Sequence, residues 1–272
     1  MRTFFKILAA MVFGLSAVTS NAFADDPEAW AIMEKVDTRE DGDRSMVDMR
    51  MILINKQGKE RIRSIRSFGI DRGEDHLSLM FFLAPADVSG TGFLTYDYEG
   101  GDNDDDQWLF LPALNKTKRI AAGDKSGSFM GSDFSYADLT TRRVEDYKYS
   151  FNEQQREVTV HGHKAWVINA TPKDEKVAGE TGYKRSIVFV RQDNFVVIRA
   201  IYFPTNGSTT KYYDVRKLEQ IEGVWTGTEI HMTTKKGKRT VHKTILSFNN
   251  VKYNQDSVNE DLFSIRRLEK GP

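Results

Sequence analysis

From Val47 to Phe248 the chain is a succession of short apolar runs cut by turn residues, and this pattern constrains the fold more than any other feature. Val47-Asp-Met-Arg-Met51 alternates and is followed by the two-sided run Ile52 to Ile54. Asn55-Lys-Gln-Gly58 then turns the chain into a second run ending near Phe68. The same grammar predicts strands over Leu77–Leu83, Phe93–Tyr98, Trp108–Leu111, Glu157–Val160, Lys164–Ala170 and Lys184–Val190. It continues through Phe195–Phe203, Lys211–Leu218, Val224–Met232 and Thr240–Phe248. RQDN (191–194), PTNGS (204–208) and TKKGKR (234–239) are hairpin connectors. One helix is expected, over Pro27 to about Thr38, where Pro opens the first turn and Trp30 and Met33 share a face. So many strands with so few helices predict a mainly β fold: a single antiparallel sheet, strongly curved, forming an incomplete barrel.

Two strands, LSLMFFL and FVVIRAIYF, are apolar on both faces, whereas a sheet with one wet face should alternate cleanly. Their second face needs a cover, either a packed helix or sheet, or a lid over a ligand cavity. The stretch GSFMGSDFSYADL (127–139) is a candidate for that cover. It sets Phe129, Met130, Phe134, Tyr136 and Leu139 among Gly, Ser and Asp, so apolar side chains sit on a segment with loop chemistry. Ser135 followed by Asp138 resembles a capping box, predicting a short helix from Tyr136 to about Arg142. The physics of the sequence leaves a static plug and a movable lid equally open.

The first residues read as an export signal. Arg2 and Lys6 precede an apolar run from Ile7 to about Val18, and Ala22-Phe23-Ala24 supplies the small-x-small pattern of a cleavage site after Ala24. The expected organisation is a signal peptide over 1–24 and one domain over 25–272, delivered to the periplasm. Loss of Arg2 and Lys6 leaves 37 basic residues against 39 acidic, a formal charge of −2, which gives no electrostatic basis for binding nucleic acid. With no Cys there is no disulfide, thiolate metal site, Cys nucleophile or lipidated Cys.

Phe110-Leu111-Pro112, Ile120 and the stretch GSFMGSDFSYADL, with Trp108 just before, resemble the outer-membrane lipoprotein-sorting protein family, which is similar to the LolA/LolB-type periplasmic lipoprotein carriers. The N-terminal helix, Arg61-x-Arg63, Lys118-Arg119 and the terminal LFSIRRLEKG (262–271) extend the resemblance over most of the chain. The resemblance implies an incomplete barrel whose concave side, covered by short helices and loops, shields a lipid or an acylated lipoprotein between the two membranes. It implies a non-enzymatic carrier working with an inner-membrane transporter of the RND/MMPL type, and a monomer is expected. The other reading is a sensor or accessory protein that binds a partner segment in the same groove. Phe129, Met130, Phe134, Tyr136 and Leu139 would form the lid, and Met51, Phe81, Trp108 and Phe110 the cavity lining. In the LolA-type carriers an early-strand Arg holds the lid through backbone carbonyls; Arg50, Arg61, Arg63 and Arg66 are all counterparts here.

No metal or cofactor is expected. EGGDNDDDQW (99–108) lacks the spacing of an EF-hand and reads as a solvated hairpin tip. His161 and His163 would share one strand face but have no third ligand nearby. There is no G-x-S-x-G elbow, P-loop or dinucleotide fingerprint. LFSIRRLEKG should pack Leu262, Phe263 and Ile265 on the sheet and leave Arg266 and Arg267 exposed.

Overall fold

A computed structural model describes residues 25–99 and 104–272; the expected signal segment and part of the acidic loop lie outside the described residues. Helix α1 (Pro27–Asp37) opens the described chain, capped by Asp26, whose carboxylate accepts the Glu28 and Ala29 amides. Then come β1 (Ser45–Asn55), β2 (Glu60–Arg72), β3 (Asp75–Ala84), β4 (Gly92–Asp97), β5 (Asp106–Leu111) and β6 (Lys116–Arg119), an antiparallel meander. The 127–139 stretch follows, with β7 (Tyr147–Phe151), β8 (Glu157–Val160), β9 (His163–Pro172) and helix α2 (Glu175–Thr181). A second meander completes the sheet: β10 (Tyr183–Arg191), β11 (Val197–Pro204), β12 (Thr209–Ile221), β13 (Val224–Lys236) and β14 (Arg239–Lys252), before helix α3 (Ile265–Lys270).

All fourteen strands belong to one open sheet, ordered β6-β5-β4-β3-β2-β1-β14-β13-β12-β11-β10-β9-β7, with β8 also on β9. The β1–β14 pairing, Met51 opposite Leu246, joins the two meanders. Register shifts in the β1–β14, β2–β3, β10–β11, β12–β13 and β13–β14 pairs add local twist, the means by which a long sheet curls. Curling gathers Met51, Phe82 and Phe93 of the first meander, Ile168 of β9, and Ala200 and Met232 of the second meander into one buried cluster on the concave face.

The sheet has a second apolar face. Leu77, Leu79 and Phe81 of β3, Leu94 of β4 and Phe110 of β5 pack there under Val258, Phe263 and Leu268 from the C-terminal segment. This explains why LSLMFFL is apolar on both faces: Met80 and Phe82 face the concave core, and Leu77, Leu79, Phe81 and Leu83 face the C-terminal segment.

Several features depart from the sequence expectation. Strands β6 and β7 and helix α2 were not anticipated. In the C-terminal segment Leu268, fully buried, is the anchor, while Ile265 is 41% exposed. Arg267 is half-buried, its guanidinium 5.1 Å from the Phe81 ring centre. His161 and Gly162 form the two-residue turn between β8 and β9 at φ 51° and 85°, so His161 and His163 do not share a strand face.

Candidate functional site: a pinned loop beside an apolar cavity

The 127–139 stretch folds back on itself. Ser128 bridges to Ser135, the Phe129 amide donates to the Phe134 carbonyl at 2.8 Å, and the Tyr136 amide donates to the Gly127 carbonyl at 3.1 Å. The tip between them, Met130 to Asp133, turns through left-handed backbone at Met130 (φ 49°) and Gly131 (φ 75°). For Met this region is unfavourable and persists only where surroundings hold it. The capping box is present: the Ser135 amide donates to the Asp138 carboxylate at 2.8 Å and the Asp138 amide to the Ser135 hydroxyl at 3.2 Å. It starts a single 3-10 turn, Tyr136–Leu139, shorter than the helix expected to Arg142.

Two polar contacts pin the tip. Arg63 on β2, 9% exposed, donates from Nη1 to the Met130 carbonyl at 2.5 Å, and its guanidinium lies 5.7 Å from the Phe82 ring. On the other side Asp133, with its side chain 2% exposed, accepts the Thr234 and Thr244 hydroxyls at 2.5 and 2.7 Å. It also pairs with His242 Nδ1 at 2.7 Å, and its own amide donates to the Thr244 hydroxyl at 2.9 Å. A buried carboxylate needs this many partners to be tolerated. Arg63 stands opposite Met51, and Thr244 opposite Leu53, so the two pins straddle β1.

Beneath the lid, apolar contacts hold Phe129. Its ring lies 5.0 Å from Phe93, 5.6 Å from Tyr136 and 6.0 Å from Phe82. Gln107 supports the same region, donating from Nε2 to the Tyr136 carbonyl at 3.0 Å.

Beside the lid lies a cavity of about 450 Å³, within the size range of small-ligand sites. Met33 and Val36 of α1 form one wall, and Phe134 borders it from the lid. Val188, Ile230 and Met232 line the sheet side. Its polar wall carries Arg142 with tyrosines 147, 149, 202 and 213. Arg142 Nη2 donates to Asp138 at 2.9 Å, and the guanidinium lies 4.4 Å from the Tyr202 ring centre and 5.3 Å from that of Tyr183. Burial pushes the Tyr149, Tyr202 and Tyr213 phenols upward, so they remain neutral donors at physiological pH. Asp37 and Asp41, from α1 and the loop after it, also line the cavity; burial and neighbouring carboxylates raise both.

A family model described as that of an uncharacterized protein matches residues 74–270. A crystal structure of a DUF1329 family protein from Desulfovibrio piger is 28% identical, with a TM-score of 0.79 over 90% of this chain and 99% of that one. A domain named for outer membrane lipoprotein sorting, from Vibrio parahaemolyticus, is also 28% identical with a TM-score of 0.79, over 89% and 99% of the two chains. The chain belongs to the family of that model, and its solved relatives include a protein named for outer-membrane lipoprotein sorting. A LolA superfamily protein from Nitrosomonas europaea, 19% identical over 88% and 98% of the chains, shares the fold with a TM-score of 0.63. Among proteins with curated descriptions, none matches the sequence.

The expected site residues fall into two groups. Phe129, Met130, Phe134, Tyr136 and Leu139 all join the concave cluster, and Met51 lies in it beneath the lid tip. Phe134 is the one of these six that also borders the cavity. Phe81, Trp108 and Phe110 are on the opposite face, against the C-terminal segment. Their strand neighbours Phe82 and Leu109 face the lid instead. The error is one of parity: where both faces of a strand are apolar, alternation carries no sign of which is inside. Of the four candidate arginines, Arg63 reaches a lid carbonyl, while Arg66 pairs with Asp48 on the surface. Arg142, Asp133 and the cavity tyrosines were not anticipated. YKYSF (147–151) alternates and places Tyr147 and Tyr149 on one face, the one signal that pointed to them.

Proposed function

We propose that this chain is a non-enzymatic, monomeric periplasmic carrier that shields a lipid or the acyl part of a lipoprotein in transit between membranes. The observation that carries the reading is an apolar cavity beside a lid whose tip is held by a few hydrogen bonds over an otherwise packed face. An acyl chain in water is unfavourable by about 0.8 kcal/mol per methylene, so a carrier must cover most of its length. A lid that exchanges its own contacts for lipid contacts covers the chain while keeping net affinity moderate enough for release. The Vibrio parahaemolyticus relative, named for lipoprotein sorting, supports this class of cargo. An inner-membrane donor of the RND/MMPL type is supported by the family resemblance.

Native mass spectrometry of protein purified gently from the periplasm tests the reading. We expect a discrete extra mass that extracts as an acylated species. Val197→Trp, which fills the cavity from a half-buried position, should lose that mass while keeping its melting temperature. A clean apo mass, under conditions that retain lipid on a known carrier, would overturn the carrier reading in favour of partner-segment binding.

A further inference from the structure

The cavity is not a uniform apolar sheath. Its polar wall concentrates hydrogen-bond donors. Behind that wall, outside the cavity lining, Lys211 Nζ donates to the Tyr183 hydroxyl at 3.1 Å, and that hydroxyl donates to Asp138 at 2.8 Å, the carboxylate that also holds Arg142. Two cations therefore converge on one carboxylate, while the nearby Asp133 is committed to Thr234, Thr244 and His242. Burial pulls the Lys211 pKa down, the response of a cation with too little counter-charge. The Arg142 side chain, enclosed by protein, still keeps 26% of its surface accessible because it faces the cavity. Among the described residues, no hydrogen-bond partner is found for the Tyr149 or Tyr213 hydroxyl, and both residues line the same space. A cavity meant only for hydrocarbon gains nothing from a half-satisfied guanidinium and open phenols, since unpaired polar groups against an apolar guest are costly.

We infer that the cavity takes an amphiphile with one apolar chain and an anionic, acceptor-rich head, the head seated at Arg142 with Tyr149 and Tyr213 around it. This rests on the carrier reading and narrows its cargo. Arg142 can keep its edge on Asp138 and present its remaining N–H groups to a carboxylate or a phosphate, a charge-assisted geometry that guanidinium suits. Asp37 and Asp41 repel an anion lying along α1, which orients the head toward Arg142 and the chain toward Met33, Val36 and Met232.

Binding of palmitate, hexadecyl phosphate and hexadecanol, measured by titration calorimetry on the mature protein, tests the assignment. Both anions should bind at least about tenfold tighter than the alcohol, the scale of one charged hydrogen bond, and the tighter of the two names the head. Arg142→Met should bring the anions to the level of the alcohol without changing the alcohol. Since that variant removes a buried group, Lys211→Met serves as the second, with a several-fold loss for the anions alone. If all three bind equally to the native protein, the head-group assignment fails and the carrier reading stands. If none binds, the carrier reading fails, and this one with it.

Discussion

Arg63 and Asp133 act on the same few residues from opposite sides of β1, and each holds backbone or charge that would otherwise be poorly placed. The Met130 carbonyl that Arg63 grips belongs to a residue in left-handed backbone, so the contact stabilises a conformation with a local preference to relax. A hydrogen bond from a charged donor contributes about 1.5–3 kcal/mol. Arg63→Met should therefore raise the opening of the lid by roughly 10- to 100-fold, with the β-sheet unaffected. The Phe129, Ser132 and Asp133 amides, bonded to the Phe134 carbonyl, the Phe129 carbonyl and the Thr244 hydroxyl, report this by hydrogen exchange. Unchanged exchange at all three would mean that Arg63 does not govern the lid.

At the scale of elements, the lid and α3 cover opposite faces of one sheet and so should fail independently. Leu268 is fully buried, and its side chain comes so close to Gly92 that a methyl group there would collide with it. Leu268→Ala leaves a cavity under α3 at a cost of about 2–5 kcal/mol. We expect a lower urea midpoint and, in the folded fraction, unchanged binding of an acyl probe. Loss of binding by the folded variant would show that the two faces are coupled. The sequence made the elements legible unevenly. The Asn55–Gly58 hairpin declared itself, because positive φ has few solutions, whereas the His161-Gly162 turn was hidden by a strand-like reading of the two histidines. Strand β6, KTKR, has no apolar residue to reveal it and owes its existence to pairing with β5. Helix α2 was recorded in its ends, Asp174 as N-cap and Gly182 at φ 76° after it, but EKVAGET lacks an apolar stripe.

For the whole molecule, Asp97 sets a pH dependence. It is 7% exposed on β4, and its carboxylate accepts the Thr141 amide at 2.6 Å, joining the sheet to the chain just past the lid. Burial, against the opposing Thr141 bond and with help from Asp105, raises its pKa to about 6. In the unfolded chain the value is about 3.9, so from about pH 4 to pH 6 the folded state binds a proton that the unfolded state has lost. Stability from this group falls as pH rises through that window, by on the order of 2–3 kcal/mol, and the penalty is complete above it. Asp97→Asn keeps the acceptor for Thr141 and removes the charge. It should flatten this part of the profile and raise the urea midpoint at pH 7 relative to the parent, with little difference at pH 4. An equal shift at both pH values would exclude Asp97 as the cause.

The sequence by itself determined the class of fold, most of the hairpin turns and the stretch that folds over the concave face, because these depend on local periodicity, positive-φ chemistry and a contiguous motif. Only the tertiary structure decided which face of β3 and β5 is the inside, which arginine meets the lid, and that Asp133, Arg142 and four tyrosines share the lid and cavity walls. Those outcomes depend on curvature, which brings strands far apart in sequence into one concave wall, and no window of the sequence contains that distance.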